Sequence, residues 1–349
     1  MTFRTYFRFE TLVLFSLLFT VACQPKEESV EKTYNRTELL EDLHAQWQED
    51  TENVLENVNY FLELLEADGF QQFQFDSASV AFEQAYSAWS KFQVWRYPVV
   101  AETGLMAMAN SFPTDTVRLM EKVTQQDYQF FGANDLGATG FPAMDYLLVQ
   151  LRDNPDTLAF EYIRKTCEEL TSKLNLISSS LSTEHKASFV ANNGIAIGSS
   201  IGDFVNYFNQ EFEFSKNFRV AIPSGIRTAG IPLPEKAEYR FIGNGKSTLK
   251  AATQHLAGLF QGTQNRIGLK HYLDFLEVSS QGMLLSDRIV DNFNVILSFI
   301  DTLPEDIEEA NSEDLTTLFQ QMQSLVVLIK SDMPSALGIQ INYVDNDGD

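Results

Sequence analysis

Carboxylates, histidines and glycines are the residues of this chain that could do chemistry, and they crowd most closely in Gly-Ala-Asn-Asp-Leu-Gly-Ala-Thr-Gly-Phe-Pro-Ala-Met-Asp-Tyr-Leu-Leu, residues 132–148. A polar, glycine-rich loop ends at Gly140, and an apolar helix is expected from about Phe141 with Pro142 in its first turn. Proline suits that turn, because the amide it lacks would have no partner inside the helix. Asp145 follows three residues later on the same helix face. A carboxylate there has two open readings: a ligand-binding group beneath a flexible loop, or a partner of the helix dipole.

The remaining polar residues limit the possible reactions. A zinc peptidase needs about three protein ligands and one open position. The chain offers His44, His185, His255 and His271, with no HExxH. Glu41/His44 and His271/Asp274 are each three residues apart on charged helix faces, and read as surface pairs. An oxygen-only site is the alternative, with Asp145 joined by Glu102, Asp115 or Asp135. Such a set suits iron(III), calcium or magnesium better than zinc. A ligand from the second half would be Asp203 or Glu211, while Asp345-Asn-Asp347-Gly-Asp349 matches only the opening of a calcium loop and reads as a solvated turn. No Gly-x-Ser-x-Gly elbow and no Cys-x-x-Cys-His haem attachment is present. Cys167, spaced with Ile163, Leu170 and Leu174, reads as a small buried hydrophobe.

The elements that must position these groups are nearly all helices. Thr37 starts one that runs to about Ala67, with Leu39, Leu40, Leu43, Trp47, Val54, Val58, Phe61 and Leu65 on one stripe. A second, from Ser77 or Ser79, carries Phe82, Tyr86, Trp89 and Phe92 at core spacing. Another spans Asp156 to about Leu181. A further helix is expected from Thr183 to about Phe214, with Gly194, Gly198 and Gly202 on one face for close helix approach. Residues 215–245, with three prolines and four glycines, read as a long functional loop. Helices follow near 247–261, 267–278, 282–302 and 312–331, and Ile339–Val344 alternates as a short strand would. The fold class is therefore all-α, in two helical-bundle halves over 37–182 and 183–349.

Composition places the protein. A formal charge of −23 over 349 residues argues against nucleic acid and anionic membrane surfaces as partners. Arg4, Arg8 and the apolar run Leu12–Phe19 form a targeting segment too short to span a membrane. Thr20-Val-Ala-Cys23 resembles a bacterial lipobox, so residues 1–22 read as a lipoprotein signal peptide and Cys23 as a lipidated N-terminus. Residues 23–36 read as a polar tether, and Lys26-Glu-Glu resembles a surface-export signal of Bacteroidetes-type bacteria. The expected location is the cell envelope, as an outer-membrane lipoprotein facing the surface or the periplasm.

Residues 140–145 also resemble the Gly-x-His-x-x-Glu signature of the imelysin family, bacterial envelope proteins of bilobed helical fold. Gly140 is kept, Pro142 stands at the histidine position and Asp145 at the glutamate. Asn206, Ile222-Pro223-Ser-Gly225, Leu233–Tyr239, Tyr272-Leu-Asp274 and the Ala336–Asp349 terminus are similar to the second half of such lipoproteins. The resemblance implies two related four-helix bundles with the motif at the groove between them, and a link to iron acquisition. The resemblance singles out Gly140, Pro142, Asp145 and Asn206, and with the carboxylates Glu102, Asp115 and Asp203 named above they make up the candidate site. Iron or another divalent or trivalent metal, haem, or an envelope protein are the candidate ligands and partners. Three functions are compatible: a non-catalytic binding or accessory protein, a divergent metallopeptidase, and an interaction scaffold.

Overall fold

The computed structural model describes residues 34–68 and 74–343; Cys23, the signal segment and the Asp345–Asp349 turn lie outside the described residues. Residues Asn35–Asp349 cluster as one compact unit. Its frame is the helix α1 (Thr37–Asp68), about 48 Å long at 1.5 Å per residue. The expected stripe from Leu39 to Leu65 is entirely buried along it. Two helices lie against it, α2 (Phe75–Phe92) and a later one over Thr157–Ser180. Phe82, Tyr86, Trp89 and Phe92 are buried on α2, as core residues.

Between α2 and that later helix come α3 (Pro98–Ala101), α4 (Leu105–Ala109), α5 (Thr116–Gln125) and α6 (Gly140–Asp153). The Thr157–Ser180 helix is α7; α6 packs on it and on α2. Side-chain caps begin several helices: Asp115 accepts the Arg118 amide at α5, and Asp156 accepts the Leu158 amide at α7.

After α7 the chain departs from the expected single helix. A wide turn over Leu181–His185, with Thr183 outside helical geometry, leads to the short α8 (Lys186–Ala191). Residues 192–199 are then an open connection, and α9 (Ser200–Phe214) starts afresh, with Ser199 capping the Gly202 amide. Gly194 and Gly198 are therefore loop residues: Gly198 has φ +80°, and a Cβ at either would meet nothing within 4 Å. Their four-residue spacing reflects a turn and not helix packing.

The second half continues with α10 (Gly245–Gln261), α11 (Leu269–Leu276), α12 (Leu285–Thr302), α13 (Ser312–Val327) and α14 (Met333–Leu337). α10 packs against α2 and α12, and α12 against α13. Helical winding continues past α9 into a wider turn over Ser215–Ala221, where the Ile222 amide reaches Asn217 O at 2.9 Å. The loop expected over 215–245 thus begins only after that turn. The tail around Ile339–Asn342 forms no strand; the Asn206 side chain takes up its backbone groups.

Candidate functional site

Gly140 opens α6 at φ +72°, and a Cβ there would collide with the carbonyl oxygens of Met108 and Ala109. Glycine is required for both reasons, and it lets the start of α6 lie against the end of α4. Pro142 is buried in the first turn, and its carbonyl accepts the Thr114 hydroxyl at 3.0 Å. One turn on, Asp145 is 1% exposed. Its Oδ2 accepts the Phe241 amide at 3.0 Å and its Oδ1 the Ile242 amide at 2.9 Å. The carboxylate therefore fastens α6 to a segment almost a hundred residues further along. Burial raises the Asp145 pKa to about 7, against the two amides and Arg240, which favour the charged form.

The segment so fastened is anchored at its other end by ions. Glu238 Oε2 accepts Arg219 Nε at 2.6 Å, and Glu238 Oε1 accepts Asn110 Nδ2 at 2.6 Å. Arg219 also donates to Glu211 Oε1 at 2.9 Å and to the Ser215 hydroxyl at 2.6 Å. Arg96 closes the chain on Glu211 Oε2 at 2.7 Å. The side chains of Arg219, Glu211 and Glu238 are each 1% exposed. Burial alone would lower the Arg219 pKa, but Glu238 and Glu211 more than offset it and hold the value above its ordinary range. Tyr86 joins through Asn110, donating to Oδ1 at 2.7 Å. Two cations face two carboxylates, so the burial is charge-balanced.

Between the two anchors sits Tyr239 at φ +57°, a left-handed conformation costly for a non-glycine residue. Its ring packs against Tyr86 and Phe82, and its hydroxyl is buried without a hydrogen bond.

The other candidate residues have separate tasks. Glu102 is exposed at the end of α3. Asp115 caps α5, and Asp135 pairs with Arg118 at 2.8 Å and lies 3.5 Å from the fully buried Lys122. Asp203 is half-buried in the first turn of α9, and burial raises its pKa. Asn206 donates to Gln340 O at 3.0 Å and accepts the Asn342 amide at 2.8 Å, clamping the C-terminal tail. None of them shares a hydrogen bond or ion pair with Asp145. Among the described residues, no group of three or more His, Cys, Asp or Glu is placed to hold a metal ion.

Two expected surface pairs are not pairs. His44 is 1% exposed, stacked on His185 with ring centroids 5.4 Å apart and enclosed by Trp47 and Phe189. Burial first, then His185 and Lys186, lower its pKa to about 4. Asp274 turns to Lys270 and Ser286, while His271 Nδ1 accepts the Gly268 amide. Sequence reasoning named Glu211 only as a possible ligand and missed Arg219 and Glu238. A signal was present: Glu211 interrupts the aromatic run Phe204, Phe208, Phe212, and a charge on an apolar stripe calls for a buried counter-ion.

An almost entirely helical chain, with only a short hairpin of Ser279–Ser280 and Met283–Leu284 among the described residues, carries a glycine-opened motif helix tied to a distant loop by its carboxylate. The imelysin family model matches residues 42–330, and the chain belongs to that family. Among solved structures, it is similar to an imelysin-like protein from Psychrobacter arcticum 273-4, with TM-score 0.75 and 14% identity over 89% of this chain and 99% of that one. It is also similar to a protein from Parabacteroides distasonis ATCC 8503 provisionally named iron-regulated protein A precursor, with TM-score 0.70 and 11% identity over 88% and 97% of the two chains. No curated protein sequence matches it.

Proposed function

We propose that this chain is a lipid-anchored envelope protein, held at Cys23, that binds or hands over a ligand in iron, other metal or haem acquisition without catalysis. One observation carries the non-catalytic part. Both oxygens of Asp145 accept backbone amides, so the carboxylate at the motif's glutamate position acts as a fastener. Pro142, at the histidine position, offers no ligand atom. The iron connection draws support from the name of the Parabacteroides structure.

The reading is tested by deleting the gene in the source bacterium and purifying the mature protein. Growth should slow under iron limitation and be restored by the wild-type gene. Chelator-sensitive peptide cleavage that disappears in Asp145→Asn would overturn it in favour of a divergent metallopeptidase.

A further inference from the structure

One loop is free of charge on an otherwise acidic chain. Residues 187–202 contain no Asp, Glu, Lys, Arg or His, although 21% of the chain is charged and its formal charge is −23. Their middle is the connection from α8 to α9, and residues 191–198 are all exposed. Ile195 and Ile197 stand out there, at 38% and 62% exposure. Single exposed hydrophobics such as Val117 or Val295 call for no explanation. Two on the tip of one loop do.

The loop is built to hold them out. Asn192 closes its base: Nδ2 donates to Gly198 O at 2.8 Å, and its carbonyl accepts the Ser200 amide at 3.1 Å. The Ser199 amide reaches Ala196 O at 3.0 Å. A Cβ at Gly194 or Gly198 would meet nothing within 4 Å, so the glycines on either side of Ile195-Ala-Ile197 face open space. The carbonyls of Asn192, Asn193, Ala196 and Gly198 are all bonded within the protein. Fewer polar groups are then left to dehydrate when the tip leaves water.

The occupant follows from where the N-terminal segment leaves the fold. Arg36, directly before α1, donates Nε to Asn193 O at 2.5 Å and Nη1 to the Tyr272 hydroxyl at 3.0 Å. The segment leading back to Cys23 therefore departs from this loop. Residues 24–36 reach at most about 45 Å, at 3.3–3.6 Å per residue. A lipid at Cys23 would thus hold a bilayer at high effective concentration beside Ile195 and Ile197.

We propose that the 192–198 loop is a membrane-docking tip: Ile195 and Ile197 enter the interfacial layer of the bilayer that carries the anchor. The protein then stands on the end from which its N-terminal segment departs. This rests on the lipid at Cys23 in the function proposed above. The lipid supplies the affinity and the tip supplies the orientation, by burying apolar side chains at the headgroup boundary. An uncharged tip on an acidic chain selects a zwitterionic surface, of phosphatidylethanolamine or phosphatidylcholine type.

The test uses the full-length chain, produced in a bacterium that processes lipoproteins and placed on phosphatidylcholine vesicles. Ile197→Cys carries an environment-sensitive dye; Cys23 is acylated and Cys167 is fully buried, so only the new thiol is labelled. Val117→Cys on α5 carries the same dye, as control for the dye's own pull towards lipid. The segment after α5 packs on Tyr162 near the start of α7, whereas the loop follows the other end of α7. On vesicles the dye at 197 should be blue-shifted and severalfold brighter than on the unlipidated chain beginning at Gln24, and brominated acyl chains should quench it. The dye at 117 should do neither. A vesicle-bound protein whose dye at 197 behaves as the dye at 117 does would overturn the docking tip and leave the anchor standing. A full-length product that carries no lipid and fails to float with the vesicles would overturn both.

Discussion

Glu238 and Asp145 are buried carboxylates that hold the two ends of one five-residue segment, and they do it by opposite means. Glu238 meets a guanidinium, so its charge is matched inside the protein. Asp145 meets two backbone amides and no ion-pair partner, and burial pushes its pKa to about 7. The first is an ionic anchor that depends on several residues together. The second is a fastener whose charge changes near neutral pH. A carboxylate at a family-motif position can thus tether a loop, whatever metal chemistry the motif suggests.

The largest effect is expected at the ionic anchor. Glu238→Ala leaves Arg219 buried with only Glu211 beside it, and should cost about 3–5 kcal/mol by chemical denaturation. Gly140→Ala tests the backbone contact: a left-handed φ and a collision with two carbonyl oxygens should cost at least 1–3 kcal/mol, on the order of other strained sites. A loss below 0.5 kcal/mol would mean that α4 and α6 do not abut there.

Asp145 should show itself through pH. Its folded pKa is raised from 3.8 to about 7, so the folded protein holds a proton that the unfolded chain releases. The resulting stability is complete below about pH 4 and is lost as pH rises through about 7, a span of roughly 4 kcal/mol at 1.36 kcal/mol per pH unit. Thermal melts across that window should slope downward from this group in the wild type, and Asp145→Asn should remove that component. Smallest is Asn206→Ala. It frees the tail at Gln340 and Asn342 for about 1–2 kcal/mol, seen as faster proteolysis of the C-terminus with the bundle intact.

The helices were legible wherever apolar spacing was regular. The α1 stripe and the α2 aromatic stripe are buried as their periodicity requires, because helix faces are set by local spacing. The run from Gly194 to Gly202 misled because glycine spacing is the same for a packing face and for a pair of turns. His44 misled for a related reason: its neighbour Glu41 is exposed on α1, while the ring points to His185, over a hundred residues away. The junction of loop and helix at Gly140 could be read from the residues, but the left-handed φ and close approach that require glycine there could not. The partners of Asp145 could not, since two backbone amides carry no side-chain signature.

The most direct test of the account is amide hydrogen exchange at Phe241 and Ile242, in the wild type and in Asp145→Ala. The account predicts that both amides are protected in the wild type and exchange much faster in the variant, with protection along α1 and α7 unchanged. Equal protection in the two proteins would mean that Asp145 does not hold this segment, and would return its carboxylate to the search for a ligand.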